Sequence, residues 1–112
     1  MRIAMPVADG KLAIHFGHAP SFAILDIDAA SKQIVKREDI PAPPHAPGLL
    51  PPWMAERGVT LVIAGGMGAR AIDLFAQQHI QVILGAPAET PEKILADYLG
   101  GILQTGNNPC DH

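Results

Sequence analysis

The chain has 112 residues, 48% of them hydrophobic and 17% charged, with a formal net charge of −3. That length supports one core, burying about two-thirds of the extended-chain surface, and excludes two domains. The Lys and Arg residues form no basic stripe for nucleic acid, no apolar run nears the ~20 residues of a membrane span, and the lone cysteine excludes an internal disulfide.

Residues 2–8 read as a short apolar strand that Pro6 should weaken or place near an edge, since proline donates no ladder hydrogen bond. Asp9 and Lys11 follow too soon for a signal peptide, so a cytoplasmic location is expected. Asp9, Gly10 and Lys11 form a turn-rich stretch leading to Ile14, His15, Phe16, Gly17 and His18. Residues 21–28 read as a second strand, on Phe22, Ile24, Leu25 and Ile27, and residues 33–40 as a third, on Ile34, Val35 and Ile40. Short connections make these antiparallel hairpins.

Residues 41–48 carry four prolines and cannot be a helix interior or a central strand. Residues 49–57 read as a short helix whose first turn tolerates Pro51 and Pro52 and which stops at Gly58, with Trp53 packing it onto the core. Residues 59–64 are continuously apolar, the mark of a strand buried on both faces. Gly65, Gly66, Met67 and Gly68 turn that strand into a helix over residues 69–78, with Ile72, Phe75 and Ala76 on one face. Residues 80–84 read as a second buried strand ending at Gly85. Thr90 is an N-cap, Pro91 suits the first helical position, and Glu92 favours the positive helix end. Ile94, Leu95, Tyr98 and Leu99 stripe that last helix, which Gly100 and Gly101 end.

Three strands followed by helix, strand, helix, strand, helix, with right-handed crossovers, leave one economical α/β solution. It is a ribonuclease-H-like three-layer fold with a five-stranded mixed sheet, the three antiparallel N-terminal strands forming one edge. The expected organisation is a single domain over residues 1–105 and a flexible C-terminal tail, residues 106–112, bearing a cysteine and a histidine.

Gly66, Gly68 and Ala71 match the dinucleotide fingerprint between a strand and a helix. The next strand ends in Gly85 rather than in a ribose-binding carboxylate, so these glycines are better explained by a tight turn with close backbone approach. The turn still leaves amide donors at a helix N-terminus, which suits an anionic group. The first strand holds no carboxylate, which argues against two-metal nuclease chemistry. The soft and borderline ligands are more telling: His15 and His18 flank Phe16 and Gly17, His45 sits in the proline-rich loop, Cys110 and His112 lie in the tail, and Met67 offers a thioether. Imidazole, thiolate and thioether together suit zinc, copper(I) or iron–sulfur centres rather than magnesium or calcium. A histidine is more often an ordinary surface group, and His79, after a helix, is read so.

Asp9 and Gly10, then His15 to His18 with Ala19 and Phe22, then Val62 to Gly68, resemble the dinitrogenase iron–molybdenum cofactor biosynthesis family, the domain of NifX and of the C-terminal part of NifB. The similarity extends through residues 80–85 and the tail. It implies a ribonuclease-H-like domain that is not an enzyme and that binds or carries the iron–molybdenum cofactor or its iron–sulfur precursor, in concert with cofactor-assembly proteins. The family's cofactor-associated histidine maps onto His15. On this reading His15 coordinates, the amides of Gly65, Gly66, Met67 and Gly68 stabilise charge on the sulfides, Phe16, Gly17 and His18 complete the pocket, and His45, Cys110 and His112 are further metal ligands. The protein would act as a monomer or homodimer. The alternatives are a binder or sensor of a single zinc or copper ion using the same ligands, and a protein-interaction module in which the histidines are incidental. All metal readings require nitrogen and sulfur donors from separate irregular stretches to share one pocket, with the His15 imidazole near the glycine turn or the carboxy end.

Overall fold

The computed structural model describes residues 1–44, 46 and 48–106. Its mixed sheet runs β4 (Ile34–Pro41), β3 (Ser21–Ile27), β1 (Arg2–Ala8), β5 (Leu61–Ile63), β6 (Gln81–Ile83), with the two-residue β2 (Lys11–Leu12) paired to β1. β1 is antiparallel to β2 and β3 but parallel to β5, and β5 is parallel to β6. Three helices complete it: α1 (Leu50–Glu56), α2 (Ala69–Gln77) and α3 (Pro91–Leu99).

The core forms on both faces of the sheet because β1, β3 and β5 are apolar at successive positions, not only at alternate ones. Ala4, Phe22, Ile24 and Val62 turn toward Met54 of α1 and Phe75 of α2. Ile3, Met5, Leu25, Leu61 and Ile63 turn the other way, toward Ile94 and Leu95 of α3. The helices after β5 and β6 thus lie on opposite faces.

Thr90 caps α3, its hydroxyl oxygen accepting from the Lys93 amide at 3.3 Å, with Pro91 and Glu92 in the first turn. Pro51 and Pro52 fall in the first turn of α1, where an amide is not needed. Trp53 is half-buried with its ring 5.9 Å from that of Phe22, and the Arg57 guanidinium lies 3.8 Å above the indole.

The structure departs from these expectations in several places. The sheet has six strands rather than five, because Asp9 and Gly10, both at positive φ, close a tight hairpin that pairs Val7 with Leu12 and Ala8 with Lys11. β1 is central despite Pro6. The Pro6 carbonyl accepts from the Ala13 amide at 2.9 Å, away from β3, and the β5 pairing covers only Ile3 and Ala4. The proline's missing donor therefore falls where no ladder partner stands. β6 is an edge strand with Gln81 exposed and Val82 and Ile83 half-buried, since only β5 pairs with it. Ile34 and Val35 of the edge strand β4 are exposed, Val35 by 65%, whereas Ile40 near its end packs against the core. Ala76 of α2, expected on the buried face, is also exposed, whereas Phe75 is buried.

Among the described residues no helix is long and apolar enough to cross a membrane.

Candidate functional site

The parallel pair β1 and β5 ends at one edge of the sheet, and the segments leaving these two strands build the site. From β1 the chain passes through the β2 hairpin into extended backbone at His15, at φ −113° and ψ 121°. It then makes a single 3-10 turn over Phe16–His18. From β5 it passes through Ala64 and the glycine corner into α2, with Gly68 as N-cap. His15 forms a parallel bridge with Gly66, and the Phe16 amide donates to the Gly66 carbonyl at 2.9 Å. Position 15 therefore meets the glycine turn through the main chain, while the tail donors lie outside the described residues.

Gly65 allows this approach. A Cβ there would stand 3.0 Å from the Ile14 carbonyl oxygen and 3.3 Å from its Cα, so a side chain would push the His15 segment away. The corner is fastened on its far side too: the Gly85 amide donates to the Gly65 carbonyl at 2.8 Å, and the Gly106 amide to the Gly85 carbonyl at 2.7 Å. Three stretches distant in sequence thus meet through their main chains.

Phe16 anchors the turn from below. It is 4% exposed, and its ring centroid lies 5.4 Å from those of Phe22 and Phe75, edge-on to the latter. With Phe16 buried, its neighbours His15, Gly17 and His18 are exposed, and the two imidazole centroids stand 5.8 Å apart.

Beside this turn lies a cleft of about 420 Å³ between the 3-10 turn, the proline-rich segment and the first half of α2. Gly17, His18, Met67 and Gly68 line it, together with Phe22, Leu49, Leu50, Ala71 and Leu74, so its surface is mainly aliphatic and aromatic. Among the described residues its only ionisable side chains are those of His18 and Arg70. Met67 is 1% exposed at its floor. His15 is not part of the wall but adjoins His18 at the mouth.

The structure therefore unites His15, Phe16, Gly17, His18, Gly65, Gly66, Met67 and Gly68 in one region. His45, Cys110 and His112 lie outside the described residues. Among the described residues no three His, Cys, Asp or Glu side chains converge as a metal-binding group. Hydrogen bonding to Arg2 holds the Asp26 carboxyl below its usual range, and Arg37 does the same for Glu92. Sequence reasoning missed Arg70 and the aliphatic walls from α1 and α2; the place of Arg70 just after the glycine corner was the available signal.

The sequence profile of the dinitrogenase iron–molybdenum cofactor family matches residues 1–101. Among solved structures, the PH0822 protein superposes with a TM-score of 0.85 at 28% identity, over 94% of each chain. The mj0327 protein of Methanocaldococcus jannaschii gives 0.76 at 17% identity over 97% of each chain. The apo form of the orange protein of Desulfovibrio gigas gives 0.70 at 23% identity, over 96% of this chain and 94% of that one. No curated protein sequence matches at a significant level. With the profile spanning every described strand and helix, the chain belongs to the dinitrogenase iron–molybdenum cofactor family.

Proposed function

We propose that the protein is a non-enzymatic carrier of a metal–sulfur cluster, the iron–molybdenum cofactor or an iron–sulfur precursor, which it receives from and passes to cofactor-assembly proteins in the cytoplasm. The observation that carries this reading is the meeting of His15 with the glycine corner at the mouth of an apolar cleft. A carrier must shield its cargo and still release it, so few protein ligands and a largely preformed, water-poor recess suit the task. His15 supplies one nitrogen donor, and the buried Met67 gives the floor a soft, polarisable surface. The exposed backbone around Gly68, at the start of α2, favours the negative charge of bridging sulfides.

Cys110 and His112 belong to the same proposal as closing ligands. Gly106 is tied to Gly85 beside the corner, and Cys110 follows four residues later. Four residues reach at most about 14 Å. Because a thiolate and a neutral imidazole are required for coordination, uptake should weaken at acid pH.

The test is anaerobic reconstitution with iron and sulfide, and separately with isolated cofactor, followed by metal and acid-labile sulfide analysis. The reading expects stoichiometric iron and sulfide, reduced at least severalfold in His15→Ala with no more than a small change in melting temperature. Uptake unchanged in His15→Ala removes that residue from the site. Zinc or copper bound without sulfide supports the single-ion alternative, for which the two adjacent imidazoles provide the starting donors.

A further inference from the structure

We infer that Arg70 gives the cleft a charge preference, strengthening its hold on bulky, weakly hydrated anions relative to neutral molecules of similar shape; this rests on, and deepens, the cluster reading above.

The cleft alone does not prescribe a charge. Its walls of Phe16, Ala19, Leu49, Leu50 and Met67 welcome any apolar body of suitable size. Arg70 breaks that neutrality, because among the described residues it is the one permanently cationic side chain in the lining and no carboxylate lines the cleft with it. The ion pairs among the described residues join Arg2 to Asp26, Arg37 to Asp39 and Glu92, and Lys93 to Asp97, while Arg57 stacks on Trp53. Arg70 takes part in none of them.

Its position does not serve the helix either. Arg70 is the second residue of α2, where a positive charge opposes the helix macrodipole, and the first turn holds no acidic residue to offset it. Folding alone favours a carboxylate here. A cation kept at an unfavourable helix position, beside a cleft without counter-charge among the described residues, is explained by a ligand that brings the negative charge.

The walls then decide what kind of anion. A small, strongly hydrated oxyanion would lose its water against aliphatic surface and recover one guanidinium contact. A large anion with diffuse charge and a soft sulfide exterior loses less water and gains contact with Met67 and the aromatic floor. Arg70 supplies the charge complement, and the walls supply the discrimination against small ions.

The experiment measures dissociation constants of the wild-type protein and of Arg70→Gln, Arg70→Glu and Arg70→Lys. The probes are the tetrathiomolybdate dianion, the organic anion anilinonaphthalene sulfonate and the neutral dye Nile red. Both anions should weaken about tenfold in Arg70→Gln, the scale of one charge-assisted contact, more in Arg70→Glu, and by less than threefold in Arg70→Lys. Nile red should bind all four proteins alike. The melting temperature of Arg70→Gln should equal or exceed that of wild type, which separates a binding loss from a folding loss. Wild-type affinity for both anions in Arg70→Gln overturns the inference and leaves the carrier reading intact. Arg70-dependent binding of the organic anion with no binding of tetrathiomolybdate supports the charge role and counts against the cluster reading. Binding of Nile red but of neither anion overturns the inference.

Discussion

Gly10 and Gly85 share φ +79°, yet their surroundings differ, and this pair of alanine substitutions isolates the fastening of the C-terminal segment. A Cβ at Gly10 meets nothing within 4 Å, whereas one at Gly85 stands 2.0 Å from the Gly106 carbonyl oxygen and 2.8 Å from its nitrogen. Gly10→Ala should therefore cost only the left-handed backbone penalty, about 1–2 kcal/mol. Gly85→Ala should cost that penalty and also expel Gly106, losing the amide-to-carbonyl bond between them, worth about 0.5–1.5 kcal/mol net. The expected totals are about 1–2 and about 1.5–3.5 kcal/mol. Urea unfolding with an unchanged m-value gives both numbers, and deletion of residues 106–112 in each background completes the cycle. In the truncated proteins the two substitutions should cost the same. Equal costs in the full chain, or a difference that survives truncation, would refute the claim that Gly106 is held at this corner.

Met54, fully buried between α1 and the sheet, should lose about 2–5 kcal/mol on Met54→Ala, measured by denaturant unfolding; a loss below 1 kcal/mol would mean that α1 is loosely packed. Asp26 is held below the usual carboxylate range by its hydrogen bond to Arg2, so it should contribute stability above the unfolded-state carboxylate pKa and lose it as pH falls through its lowered native value. Asp26→Asn should flatten the acid limb of the stability–pH curve and leave the neutral-to-alkaline part parallel to wild type; an unaltered acid limb would show the pair to be energetically idle.

Local signals read well wherever the physics is local. The Thr90, Pro91, Glu92 start of α3 follows from capping and proline geometry, and the apolar run at residues 61–63 follows from burial on both faces. The His15 turn and the glycine corner stand out by residue type in the sequence, and the structure brings their main chains together. What stayed hidden was set by neighbours. Pro6 looked like an edge residue, but the absence of a partner at one point of a central strand is a property of where β5 ends. Residues 80–84 looked buried, but which strand closes the sheet cannot be read from composition. The cleft walls come from α1, α2 and the turn before β3, segments with no common pattern, and a charge at a helix start ordinarily means only contact with water.

The joint at the sheet edge is made amide to carbonyl, from Phe16 to Gly66, Gly85 to Gly65 and Gly106 to Gly85. Outside the glycines that allow the close approach, such a joint is indifferent to the side chains it carries. Ile14, His15, Gly17 and His18 can thus be exchanged while the frame that presents them stays in place. The architecture separates assembly from display: one scaffold can change the groups it presents by replacing a few exposed residues, with little penalty to its own folding.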